Sequence, residues 1–152
     1  MSSPIVKRFL KRKASIAGLA VLTIFFLMAI IGPSLCTYDP LAQDIKNMSQ
    51  GPSAAHWFGT DYLGRDTFTR IVYGARMSLF ISFSGVLSGC LVGVLLGVCA
   101  GYYGGWVDAV ISRVIDVLLA FPGLLLAIVI VAILGNGDQN TIIAIAVFAV
   151  PS

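Results

Sequence analysis

Chemistry in this chain would have to come from very few residues. It has one histidine, His56, three cysteines, Cys36, Cys90 and Cys99, and seven acidic residues, every one of them Asp. A protein nucleophile needs a base within reach and a third group to orient that base. Ser53 lies three positions before His56, but no G-x-S-x-G elbow and no Glu stand with them, so no nucleophile–base set is visible. A zinc site takes four Cys or His ligands at close spacing, and one His with three scattered Cys does not supply them. Cys90 and Cys99 lie nine apart within an apolar run, on opposite faces of a helix, and cannot bridge there. All three cysteines read as unpaired small hydrophobes. No Gly-rich loop ends in Lys and Ser or Thr, so the chain has no means of hydrolysing ATP. The expectation is no catalytic residue, no metal and no cofactor of its own.

The elements around these residues belong to a membrane. Hydrophobic residues make up 58% of the 152 positions and charged residues 11%, against about 25% charged in a soluble domain. Net charge is +3, yet five of the ten basic residues, Lys7, Arg8, Lys11, Arg12 and Lys13, precede Ala14. That is a local cluster and not a nucleic-acid-binding face. Ala14 to Gly32 then runs without a charge, long enough at about 1.5 Å per residue to cross a bilayer core. A cleaved signal peptide has a shorter apolar part and a small-x-small site; Gly32-Pro33-Ser34-Leu35-Cys36 offers neither that nor lipoprotein processing. The basic cluster keeps the N-terminus in the cytoplasm. The fold class expected is all-α, a polytopic bundle of about three complete spans and a partial fourth.

Pro33 to Arg76 is polar, punctuated by Gly and Pro and near neutral, and is expected outside. Gly59, Gly64 and Gly74 suit tight turns, and Asp66 suits the N-cap of an amphipathic helix through Phe68, Ile71, Val72 and Ala75 that feeds the second span. Arg65, Arg70 and Arg76 either tie this segment to its neighbours or touch an incoming substrate or binding protein; both readings stand. Met77 to Ala100 is the second span. Gly85, Gly89, Gly93, Gly97 and Gly101 recur every fourth position along it, a slowly drifting stripe that admits close approach of another helix. Gly101, Gly104 and Gly105 are expected to turn the chain on the cytoplasmic side, with Tyr102, Tyr103 and Trp106 at interfacial depth. A helical pattern from Val107 puts Asp108, Ser112 and Asp116 on one side, with Arg113 placed to pair with Asp116. Val117 to Gly135 is the third span, kinked or loosened by Pro122. After a polar turn, Thr141 to Ser152 begins a fourth.

The stretch His56-Trp57-Phe58-Gly59-Thr60-Asp61-Tyr62-Leu63-Gly64-Arg65-Asp66, continued by Phe68, Arg70, Gly74-Ala75-Arg76 and Ser78-Leu79, resembles the permease subunits of ABC importers for dipeptides, oligopeptides, glutathione and nickel. The likeness is to the second, C-type permease of each pair, and extends through Ala100-Gly101-Tyr102-Tyr103-Gly104-Gly105-Trp106-Val107-Asp108, Arg113, Asp116 and Phe121-Pro122. It implies a bacterial inner-membrane importer subunit working with a second permease subunit, cytoplasmic ATPase subunits that bind ATP, and a periplasmic substrate-binding protein. On this basis residues 1–13 are a cytoplasmic basic N-terminus, 14–33 the first membrane helix, 34–76 an external loop with an amphipathic helix, and 77–152 the start of the permease membrane domain. The substrate-binding residues are not readable. Members of the family carry a Glu-Ala-Ala-type docking motif after the fourth span, whereas this sequence has no Glu and its fourth apolar run is 12 residues long. The expectation is therefore an incomplete subunit, inactive alone. The competing classes are a membrane-anchored binding module built on Pro33 to Arg76 and a small pore, which would want charged or polar residues lining its spans.

Overall fold

The computed structural model describes residues 12–152. Lys7, Arg8 and Lys11 of the basic cluster lie outside the described residues. The chain forms two compact units, one ending at Ser78 and one running from Leu79 to Ser152.

In the first unit, helix α1 covers Lys13–Leu35. It has no acid or base after Lys13 and spans roughly 35 Å at 1.5 Å per residue. It runs two residues past Pro33. Proline in a last turn forfeits only one backbone bond, and its fixed φ suits a helix. The segment that follows is irregular, with one short 3-10 turn at Ile45–Asn47. Helix α2 then begins at Thr67 and continues without interruption to Tyr103, 37 residues. The amphipathic helix and the second span expected from the sequence are thus one element. Its Val72 is fully buried, and a Cβ on Gly32 of α1 would stand 2.5 Å from Val72 Cγ1. Only a glycine lets α1 come this close to α2.

In the second unit the rest of α2 is followed by α3 (Gly105–Ala120), α4 (Gly123–Leu134) and α5 (Asp138–Ala149). The expected third span is not one kinked helix: α3 and α4 break at Phe121-Pro122 and meet at 93°. Pro122 has no N–H to offer Leu118, and Phe121, which precedes a proline, leaves the helical region at φ −87° and ψ 135°. Gly101 also departs from expectation. It lies inside α2, and the turn is made by Gly104 and Gly105 alone.

Among the described residues two helices, α1 and α2, are long and apolar enough to cross a membrane, and the bent pair α3–α4 counts as a third only if taken together. Few apolar side chains are buried; large ones such as Ile24, Ile30, Leu95 and Ile133 are 62%, 71%, 65% and 78% exposed. Such surfaces are stable against lipid or against further helices, not against water. The fold is all-α and that of a membrane protein.

Candidate functional site

The polar segment between α1 and α2 is organised around its aspartates. Each of the four accepts a backbone N–H a few residues ahead: Asp39 from Leu41 at 2.7 Å, Asp44 from Lys46 at 3.1 Å, Asp61 from Leu63 at 2.8 Å, and Asp66 from Thr69 at 2.8 Å. This explains why these acids are Asp. The short side chain reaches its own backbone, and one more methylene would carry the carboxylate past it.

Asp61 is the hub. Besides Leu63 it accepts the Arg65 backbone N–H at 3.0 Å, Arg65 Nε at 2.8 Å, and Arg70 Nη1. Burial alone would raise its carboxyl; the N–H groups of Arg65 and Leu63, then the Arg65 guanidinium, outweigh this and hold it at about 2. Gly59 and Gly64 shape the chain on either side, both at φ +72°. A Cβ at Gly59 would run into the Gln50 carbonyl, and one at Gly64 into that of Asp44. These two glycines are required twice over, by backbone conformation and by close approach. Thr60, largely buried, links the layers: its hydroxyl donates to the Asn47 carbonyl and accepts the Gln50 N–H at 2.9 Å.

Asp66, 5% exposed, does two things at once. Oδ2 caps α2 through the Thr69 N–H, and Oδ1 lies 3.0 Å from His56 Nδ1, a bond that needs the histidine proton on Nδ1. Burial alone would raise this carboxyl as well, but the bonds from Thr69 and His56 lower it. The Tyr38 ring rests 4.8 Å from that of His56. Ser53 Oγ accepts the backbone N–H of His56 at 3.0 Å. The two residues are thus joined through a turn and not as nucleophile and base. Sequence reasoning passed over the His56–Asp66 pair because a ten-residue separation carries no periodic signal.

The other residues singled out in the sequence fall as follows. Gly74 is not in a turn; it lies within α2, with nothing near the position of a Cβ. The helix simply continues through it from the Asp66 cap. Arg76 is exposed and in no ion pair among the described residues. Arg113 reaches Asp116 only at 3.9 Å, with both side chains largely exposed.

The glycine stripe divides. A Cβ at Gly85 would stand 2.6 Å from Ile145 Cγ2, one at Gly89 2.6 Å from the Ala149 Cβ, and one at Gly93 2.5 Å from the Val150 oxygen. These three seat α5, and the Val150 that follows it, along α2. Gly97 and Gly101 have open space. Across the neighbouring contact, Gly123 of α4 lies beneath the ring of Phe148 in α5. No group of three or more metal-ligating side chains occurs among the described residues.

Helices long and apolar enough to cross a membrane, a polar segment between two of them held by its own aspartates, and helix contacts made through glycine suit the membrane component of a transport protein. Comparison with known proteins places the chain accordingly. Residues 3–52 match the N-terminal TM domain of oligopeptide transport permease C, and residues 93–152 match the binding-protein-dependent transport system inner membrane component. The chain belongs to this permease family. It is 53% identical over 145 residues to the dipeptide transport system permease protein DppC of Alkalihalophilus pseudofirmus, covering 95% of this chain and 48% of that protein. It is 44% identical over 147 residues to the glutathione transport system permease protein GsiD of Pectobacterium atrosepticum, covering 96% and 49%. The DppC of Bacillus subtilis is 44% identical over 141 residues, covering 93% and 44%. The chain therefore spans about half the length of the curated relatives it matches. These relatives are transport permeases, not enzymes.

Proposed function

We propose that this chain serves as a permease subunit of an ATP-driven importer for peptides or glutathione, in the bacterial inner membrane with its N-terminus in the cytoplasm. The observation that carries the reading is identity of 44–53% to dipeptide and glutathione permeases over at least 93% of the chain. In this arrangement the basic cluster stays inside, α1 and α2 cross, and the Asp61-centred segment stands outside. A second permease subunit lies alongside. Separate cytoplasmic ATPase subunits bind ATP, so this chain needs no cofactor and catalyses no reaction. A periplasmic substrate-binding protein delivers the cargo.

The test is a chimera in which this chain replaces the corresponding part of the Bacillus subtilis DppC, expressed in a strain lacking that subunit. Labelled dipeptide uptake well above the deletion strain is expected. A chimera that reaches the membrane and assembles, yet leaves uptake at background, overturns the reading. Orientation is tested by single cysteines at Ser53 and Gly104, with Cys36, Cys90 and Cys99 replaced by Ala. An impermeant thiol reagent on intact cells should modify Ser53→Cys and spare Gly104→Cys; the reverse pattern overturns the N-terminus-in topology.

A further inference from the structure

Beside the first turn of α2 lies a cavity of about 230 Å³, several times the roughly 30 Å³ share of one water molecule. Its walls include Tyr38, Trp57, Phe68, Thr69 and Asp66. The aromatic walls are braced, Tyr38 by the His56 ring at 4.8 Å and Trp57 by the Phe68 ring at 5.0 Å. No lysine or arginine is among the residues that line it, and Asp66 is its one acid. His56 bonds one oxygen of that carboxylate, and Thr69 engages it through both its N–H and its hydroxyl. An ionised carboxylate offers about four acceptor positions, so one remains. Aromatic faces beside a carboxylate that has no lysine or arginine with it attract a compact cation and repel an anion.

We propose that this cavity binds a primary ammonium group, the charge carried by the amino terminus of a short peptide. The proposal deepens the permease reading and rests on it for the identity of the cargo. Ethanolamine lipid head groups carry the same ammonium, and the experiment separates the two sources.

The 152-residue chain with Trp106→Phe, which leaves Trp57 as the sole tryptophan, is placed in phosphatidylglycerol discs and titrated with dialanine. Trp57 emission should change saturably with dialanine and not with N-acetyl-dialanine, which lacks the charge. Asp66→Asn keeps an N-cap acceptor and should weaken dialanine at least tenfold, with helix content by circular dichroism unchanged. Tyr38→Leu, which removes one aromatic wall, should weaken it several-fold. In discs containing phosphatidylethanolamine, an emission change without dialanine, also abolished by Asp66→Asn, assigns the ammonium to lipid. Equal response to the acetylated peptide, an unaltered response in Asp66→Asn, or no saturable response to either amine overturns the site. The outcome is separable from that of the chimera. Uptake with no Trp57 response removes the site and leaves the permease reading, whereas a response without uptake does the opposite.

Discussion

Gly89 and Gly97 sit on the same helix, two turns apart on the same stripe, and differ in what stands opposite them. A Cβ at Gly89 would meet the Ala146 carbonyl oxygen and would lie 2.6 Å from the Ala149 Cβ. Carbon atoms pack best at about 3.5–4.0 Å, so α2 and α5 would have to part by roughly 1 Å. Neither obstacle is the end of a flexible side chain that can swing aside. A Cβ at Gly97 meets nothing within 4 Å. Alanine is the better helix former at both positions, by about 0.8–1.0 kcal/mol, so this gain cancels when the two variants are compared. What remains is the overpacking cost, about 1–3 kcal/mol, or a factor of five or more in the folded-to-unfolded ratio. Gly97→Ala should therefore be neutral or stabilising, and Gly89→Ala should fall below it by that margin. Purified variants in mild detergent, titrated with dodecyl sulfate and followed by circular dichroism, give the comparison. Equal midpoints for the two variants, or a lower midpoint for Gly97→Ala, would refute the packing argument.

Other outcomes follow from the polar segment. The Asp61 carboxyl is held at about 2 in the folded chain, below the ordinary value near 3.9. Its contribution is thus complete above about pH 4 and is lost as pH falls towards 2. Proteolysis of the segment should rise across that window in the native chain, while Asp61→Asn should be cleaved readily at neutral pH and lack the acid step. Arg65→Ala should share the Asp61→Asn phenotype, and Arg76→Ala, which breaks no ion pair, should not. Asp66→Ala should lower stability by about 0.5–2 kcal/mol through loss of the cap, with Asp66→Asn retaining most of it; equal loss in both would show that the cap is not the source.

Much of this protein is legible along the chain because the relevant forces are local or periodic. The crossing helices follow from uncharged runs, since a charge at the centre of a bilayer costs about 2.5–3.5 kcal/mol on insertion scales. The start of α2 follows from Asp66, because a cap acts on the next three residues. The glycine stripe follows from four-residue spacing. Permease membership follows from a motif dense enough to match residue by residue.

The remainder was settled by contacts between residues that no short-range rule connects. Asp61 collects Arg65 and Arg70, and His56 meets Asp66, only because the turns at Gly59 and Gly64 fold the segment back on itself. That Gly85, Gly89 and Gly93 are filled by α5 and the Val150 that follows it while Gly97 and Gly101 stay open depends on where α5 lies, not on the stripe. Gly74 looks like a turn residue and is held helical by the element around it. The proline at 122 announced a disturbance, but the 93° bend required knowing where α4 goes next. A missing N–H fixes where a helix is weak, and only the packing of the following segment decides how far it turns.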